Sequence, residues 1–227
     1  MNRALHHRAG PGGSVARATP GFTLVEVLVV VGIIMVAAAT LGLVLRGPGE
    51  GVALQAGQAT LAALCTAARA RAAVTGAEAR LVVSADPADA AGRLRYLQVV
   101  HADPAGSGRW LAEGGGWTLP AGIYVVPPTA AAVPGEPGWP EGRCSTALAP
   151  AAEAMTINGV AAGPFYSVSF TPRGTTRGGS VVLACGCVSE GAGGPRLVFG
   201  PADQVRGVRV RVSGALTLID EAAALDP

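Results

Sequence analysis

The sequence predicts an α+β protein, a long N-terminal helix packed on antiparallel β-sheets, and three observations carry that expectation. An almost wholly apolar run over residues 22–45 is followed by apolar residues at helical spacing as far as residue 74. Beyond Gly76 the pattern changes to alternation, the period of a strand. Glycine and proline then punctuate almost every gap between the short apolar segments. At 227 residues the chain is long enough for one sizeable core. With a helical arm set aside, the remainder fits a single ordinary domain, which disfavours a two-domain enzyme.

Composition narrows the function classes. Aromatic residues are only 4% of the chain, and all 17 basic residues are arginine, a bias that reads as genomic base composition before it reads as function. The formal charge of +2 is misleading, because Arg3, Arg8 and Arg17 sit in the first 21 residues, which carry no acid. Without them 14 arginines face 15 acids, a balance of −1. That balance supplies no general field for nucleic acid or an anionic membrane surface.

The elements follow in order. Residues 1–21 are polar, basic and broken by Gly10, Pro11, Gly12, Gly13 and Pro20, which is the composition of a leader. The run 22–45 has only Thr23, Glu26 and Thr40 as polar side chains. As a helix it extends about 36 Å, against about 30 Å of bilayer hydrocarbon, so it spans with tilt. Arg46 closes the run, and Gly47-Pro48-Gly49-Glu50-Gly51 is expected to end or kink the helix. The second half of the helical arm, within 46–75, places Leu54, Leu61, Leu64, Cys65, Ala68 and Ala72 near one face, with Gln55, Gln58, Thr66 and Arg69 largely off it. Gly76 is its expected stop.

A β-rich domain is expected over 76–227. Its strand candidates are Ala79, Leu81 and Val83; Leu94, Tyr96 and Gln98; Ile123 to Val126; Tyr166, Val168 and Phe170; Ser180 to Ala184; Arg196 to Phe199; Val205 to Val212; and Ala215 to Ile219. Residues 127–150 hold Pro127, Pro128, Pro134, Pro137, Pro140 and Pro150 and are expected to form a long exposed loop, mobile or specific to a partner.

The junction Pro20-Gly21-Phe22-Thr23-Leu24-Val25-Glu26, set directly against the spanning run, resembles the prepilin signal of type IV pilins and type II secretion pseudopilins. The resemblance implies cleavage after Gly21 by prepilin peptidase and methylation of the new amine on Phe22. A glycine there lets an extended chain enter a protease site closely. Cleavage on the basic side of the run leaves the membrane helix in the mature protein. The competing reading is a secretory signal cut near Ala37-Ala38-Ala39. Against it, the apolar sequence continues through Leu41 to Leu45, and an ionised acid inside such a run costs about 2.5 to 3.5 kcal/mol, which a removable segment gains nothing by keeping. By the resemblance, the Glu26 carboxylate meets the amine of Phe22 on a neighbouring subunit. The alternative is that it snorkels to the headgroups.

A second, narrower resemblance rests on Trp110, on Gly116-Trp117-Thr118-Leu119-Pro120-Ala121-Gly122-Ile123, and on Val168-Ser169-Phe170-Thr171-Pro172-Arg173-Gly174 through Gly179. These blocks look like the minor pseudopilin domain of GspH/FimT type over roughly residues 55–219. The family fold is a long helix on β-sheets, hence pilin-like. The implied role is a low-copy subunit of a type II secretion or type IV pilus-like filament. Its implied partners are prepilin peptidase, other pilins or pseudopilins, an inner-membrane assembly platform, and the membrane through Phe22 to Leu45. The implied location is the inner membrane, single-pass, with the C-terminal domain periplasmic or extracellular. The proline-rich insertion and the cysteines depart from the pattern. Trp110 and Trp117 read as core or turn packing rather than a ligand platform.

Cys65, Cys144, Cys185 and Cys187 would then face an oxidising compartment. Four cysteines allow three full pairings, and the favoured bond joins Cys144 to Cys185 or Cys187, fastening the long loop to a strand. Cys185-Gly-Cys187 is half a metal set at most, so no metal or other cofactor is expected. No catalytic residue is expected either: elbow, zincin and dinucleotide motifs are missing, the absence of lysine removes a Walker A loop, and His101 with Asp103 or Asp86 with Asp89 has no spacing that requires chemistry. Two other readings stay open, an enzyme on a simple anchor and a DNA-binding minor pilin. For the latter, Arg173, Arg177, Arg196, Arg206, Arg209 and Arg211 outnumber Glu190 and Asp203, and Arg209 and Arg211 project from one strand face. Without aromatics for stacking nearby, nucleic acid is not the expected partner.

Overall fold

The computed structural model describes residues 48–103, 105–112, 114–134, 139–191 and 194–225, together with Leu24, Val25, Val27 to Val31, Ile33 and Met35. The chain forms two compact units, Met1–Leu45 and Arg46–Pro227. In the first, the described residues are helical and exposed. Among the described residues no helix is both long and apolar enough to cross a membrane. Most of the expected span over 22–45 lies outside them.

The second unit opens with helix α1, Pro48–Thr75. Proline suits a first helical turn, whose N–H groups have no intrahelical partner. Gly49 and Gly51 lie within this helix, and Gly47 of the expected end or kink lies outside the described residues. The helix stops where Gly76 takes φ 64°, a left-handed conformation that glycine adopts without a steric penalty. The Thr75 hydroxyl returns to the Arg71 carbonyl at 2.9 Å.

Six strands form the first sheet: β1 (Ala79–Ser84), β2 (Tyr96–Ala102), β3 (Trp110–Leu111), β4 (Trp117–Thr118), β6 (Glu153–Ile157) and β7 (Val160–Phe170). β1 pairs antiparallel with both β2 and β7. β7 pairs β6, β6 meets β3 in parallel at Trp110 and Ile157, and β3 returns to β2. These pairings close a ring, with β4 attached at β2. Alternation along β1 then separates two cores. Val82 joins Val100, Met155, Ile157 and Phe165, whereas Leu81 and Val83 join Leu97, Val168 and Phe170 beneath α1. Leu94, expected in a strand, instead precedes β2 with φ 57° and links its neighbours through backbone bonds to Ser84 and Val125.

The second sheet runs β11-β10-β8-β5, with β9 also on β8. Its strands are β5 (Ile123–Val125), β8 (Gly179–Gly191), β9 (Gly194–Phe199), β10 (Val205–Val210) and β11 (Leu216–Ile219), all paired antiparallel. Leu54, Leu61, Leu64, Cys65, Ala68 and Ala72 of α1 are buried in a core shared with Val181, Leu183, Val208 and Val210. Gly57 lets the helix come close, since a Cβ there would lie 3.2 Å from Ile123 Cγ2.

Gln58 corrects the reading of the helix surface. It is 2% exposed, and its Nε2 donates to the carbonyls of Gly207 and Ile219.

The proline-rich segment is likewise not an exposed loop. Val133, Trp139, Cys144, Ala147 and Leu148 are buried. It leaves β5 at Val126, whose N–H donates to the Val182 carbonyl, and returns to β8, where Val182 N–H donates to Ser145 Oγ at 2.9 Å. Between these points its described residues cover the second sheet, with the Trp139 ring 5.4 Å from that of Phe199. The final turn, Ala222–Leu225, packs against the same face. The Arg143 Nη1 group donates to the Ala222 carbonyl and so joins the two coverings.

Candidate functional site

Gly21, Phe22 and Glu26, on which the expected processing and assembly depend, lie outside the described residues. The remaining candidates all fall in the second unit.

The cysteines are free thiols. Along β8, Val181, Leu183 and Cys185 pack toward the helix, whereas Val182 and Ala184 pack with Cys144 on the opposite face. Alternation puts Cys187 on the face of Cys185. The sheet itself therefore separates Cys144 from both expected partners, and the expected disulfide is not made. Burial pushes the Cys65 thiol up to about 12 and the Cys144 thiol up to about 11, so neither is a nucleophile at neutral pH. Cys187 is exposed.

His101 and Asp103 do not form a pair that could act on a substrate. His101 is 6% exposed within β2, and burial, followed by the charge of Arg71, holds its imidazole below the usual value. Asp103 is occupied by its own turn, accepting from Ser107 Oγ at 2.6 Å and Ala105 N–H at 3.0 Å. Those bonds hold its carboxyl below the usual range. Among the described residues no group of three or more His, Cys, Asp or Glu could hold a metal ion.

The tryptophans divide. Trp110 carries the Arg80 guanidinium 4.3 Å from its ring centre, and Arg80 is in turn bonded to Glu78 at 2.7 Å and Glu153 at 3.2 Å. Trp117 is 48% exposed, so of the two expected placements, core or turn, it does not take the core, and it borders a groove with Ala67, Ala70, Val74 and Val99.

Arg209 and Arg211 both line one groove, but not as two equivalent free cations. Arg209 Nη2 donates to the Ala224 carbonyl at 2.7 Å, so this side chain also fastens the C-terminal turn. Arg211 is exposed. Arg177 enters the same groove, a placement invisible in the sequence because it depends on the long-range pairing of β8 with β10.

Residues 17–42 match the family model described as the prokaryotic N-terminal methylation motif. Gly21, Phe22 and Glu26 all fall inside the matched residues. Among solved structures, the minor pseudopilin EpsH from the Type 2 Secretion System of Vibrio cholerae shows a distant likeness. It covers 70% of this chain and 90% of that one, with 13% identity and a TM-score of 0.37. No curated protein matches the chain.

Proposed function

We propose that this chain is a minor pseudopilin or minor pilin, a subunit of a type II secretion or type IV pilus-like filament, with a structural rather than a catalytic role. The observation that carries the reading is the N-terminal methylation motif at residues 17–42. It precedes in sequence a unit whose long helix packs on antiparallel sheets. Prepilin peptidase cuts after Gly21 and methylates Phe22. The run 22–45 then holds the subunit in the inner membrane, with the C-terminal domain on the far side, until the assembly platform adds it to other pilins or pseudopilins.

Glu26 sets the register of that assembly. An acid in an apolar bundle is tolerated when paired, and the amine of Phe22 on a neighbouring subunit supplies the opposite charge. Removing one partner of such a buried pair costs about 3 to 5 kcal/mol. Glu26→Ala is therefore expected to insert and fold normally but to be lost from filaments, measured by co-purification with the assembled filament. Normal incorporation of the variant contradicts the assigned role.

A further inference from the structure

A groove of about 720 Å³ opens where β8 begins beside the end of β10. Arg177, Arg209 and Arg211 line it, and among the described residues no acidic or aromatic one does. The β-ladder assembles this charge. Ser180 lies opposite Arg209 and Gly179 opposite Val210, and the Thr176 N–H extends the pairing by donating to the Val212 carbonyl at 3.0 Å. Continued by that bond, the register sets Arg177 opposite Val212, one residue on from Arg211, and Arg177 lines the same groove. Part of Arg209 is committed to the Ala224 carbonyl. Arg177 and Arg211 are exposed, and among the described residues neither forms an ion pair or a side-chain hydrogen bond. The rim is aliphatic, with Val212 63% exposed and Leu225 contributing to the wall.

We propose that this groove binds an extended acidic segment of a partner protein, with carboxylates at alternate positions against Arg209 and Arg211. Side chains two apart in an extended chain recur on one face every 6.5 Å or so, roughly the repeat at which a strand presents its own arginines. Guanidinium groups take carboxylates in a two-pronged arrangement, so each pairing sets orientation as well as charge. Nucleic acid fits less well, because the groove offers no ring for stacking and the chain beyond residue 21 is near neutral, with little long-range attraction for a polyanion. The proposal uses only residues of the second unit and does not rest on the filament reading.

The test uses the full mature chain in uncharged detergent micelles and a fluorescein-labelled peptide in which glutamate alternates with valine. Fluorescence anisotropy is expected to show binding of this peptide and none of its glutamine counterpart. Arg177→Ala and Arg211→Ala, both at exposed positions, are each expected to weaken binding by about threefold, the scale of one solvent-accessible ion pair. Arg211→Glu is expected to abolish it, with circular dichroism confirming an unchanged fold. The proposal is overturned if neither peptide binds, if the glutamate and glutamine peptides bind equally, or if the alanine variants keep full affinity. Displacement of the peptide by duplex DNA at lower concentration than by unlabelled peptide overturns it in favour of a nucleic-acid groove.

Discussion

The Gln58 side chain is tied to the Gly207 carbonyl by a buried 2.9 Å hydrogen bond from Nε2, and the same amide donates to Ile219 at 2.9 Å. Gly207 and Ile219 face each other across β10 and β11, so one side chain of α1 fastens two strands at once. Gln58→Leu keeps the bulk and removes both bonds, each with a net contribution of about 0.5 to 1.5 kcal/mol, and is expected to destabilise the second unit by about 2 kcal/mol. Gln58→Glu is the sharper variant, since a carboxylate there would face two carbonyl oxygens. Burial and those oxygens favour the protonated acid, raising its pKa, so the variant's stability should decline as pH rises above the usual carboxylate range. Chemical unfolding of both variants at several pH values checks this.

Gly57 and Gly207 are expected to differ in tolerance. A Cβ at Gly57 meets only side-chain methyls, Ile123 Cγ2 at 3.2 Å and Leu183 Cδ1 at 3.4 Å, which have room to shift. The gain of about 1 kcal/mol in helix propensity offsets that crowding, so Gly57→Ala should be near neutral, whereas Gly57→Leu should cost about 1 to 3 kcal/mol. At Gly207 the added atom collides with the backbone, close to the Val181 carbonyl oxygen. Gly207→Ala should therefore lower the thermal midpoint clearly more than Gly57→Ala does.

Thiol chemistry distinguishes the exposed cysteine from the buried ones. Cys187 is expected to react with a maleimide in the native protein, while Cys65 and Cys144, buried and with thiols pushed up to about 12 and about 11, should react only after unfolding. Peptide mass mapping under non-reducing conditions reads both the labels and any bond. Recovery of a Cys144–Cys185 disulfide from folded protein would contradict the separation described above.

His101 gives the pH dependence a sign. Its folded pKa lies below the unfolded value of about 6.5, so the unfolded chain binds the proton first as pH falls. Its stabilising contribution is full above that pH and is lost as pH falls toward the depressed folded value. Unfolding midpoints of the second unit should fall below neutrality, and His101→Gln should flatten that part of the profile.

The α+β layout was legible because α1 and the long strands write their periods plainly. Leu54, Leu61, Leu64, Cys65, Ala68 and Ala72 share one buried face, and Val208 and Val210 of β10 are buried, whereas Val212, beyond the end of the strand, is exposed. Gln58 is buried despite its polarity because the tertiary fold supplies its two acceptors, which no local pattern shows. β3 and β4 have two residues each, too short to show any period. The 127–150 segment read as exposed because its prolines dominate the composition, while its anchors, Val133, Trp139, Cys144 and Leu148, follow neither a helical nor a strand spacing. The groove shared by Arg177, Arg209 and Arg211 is a product of strand register, which local sequence does not encode.

The central claim is that the chain is processed as a prepilin at the boundary of its apolar run, and the mature N-terminus tests it most directly. Intact mass and N-terminal peptide sequencing are measured on the chain expressed with a prepilin peptidase. The expected product lacks residues 1–21 and begins at N-methylated Phe22. A product beginning at Thr40, as a secretory signal cut after Ala37-Ala38-Ala39 would give, or a chain still carrying its leader, contradicts it.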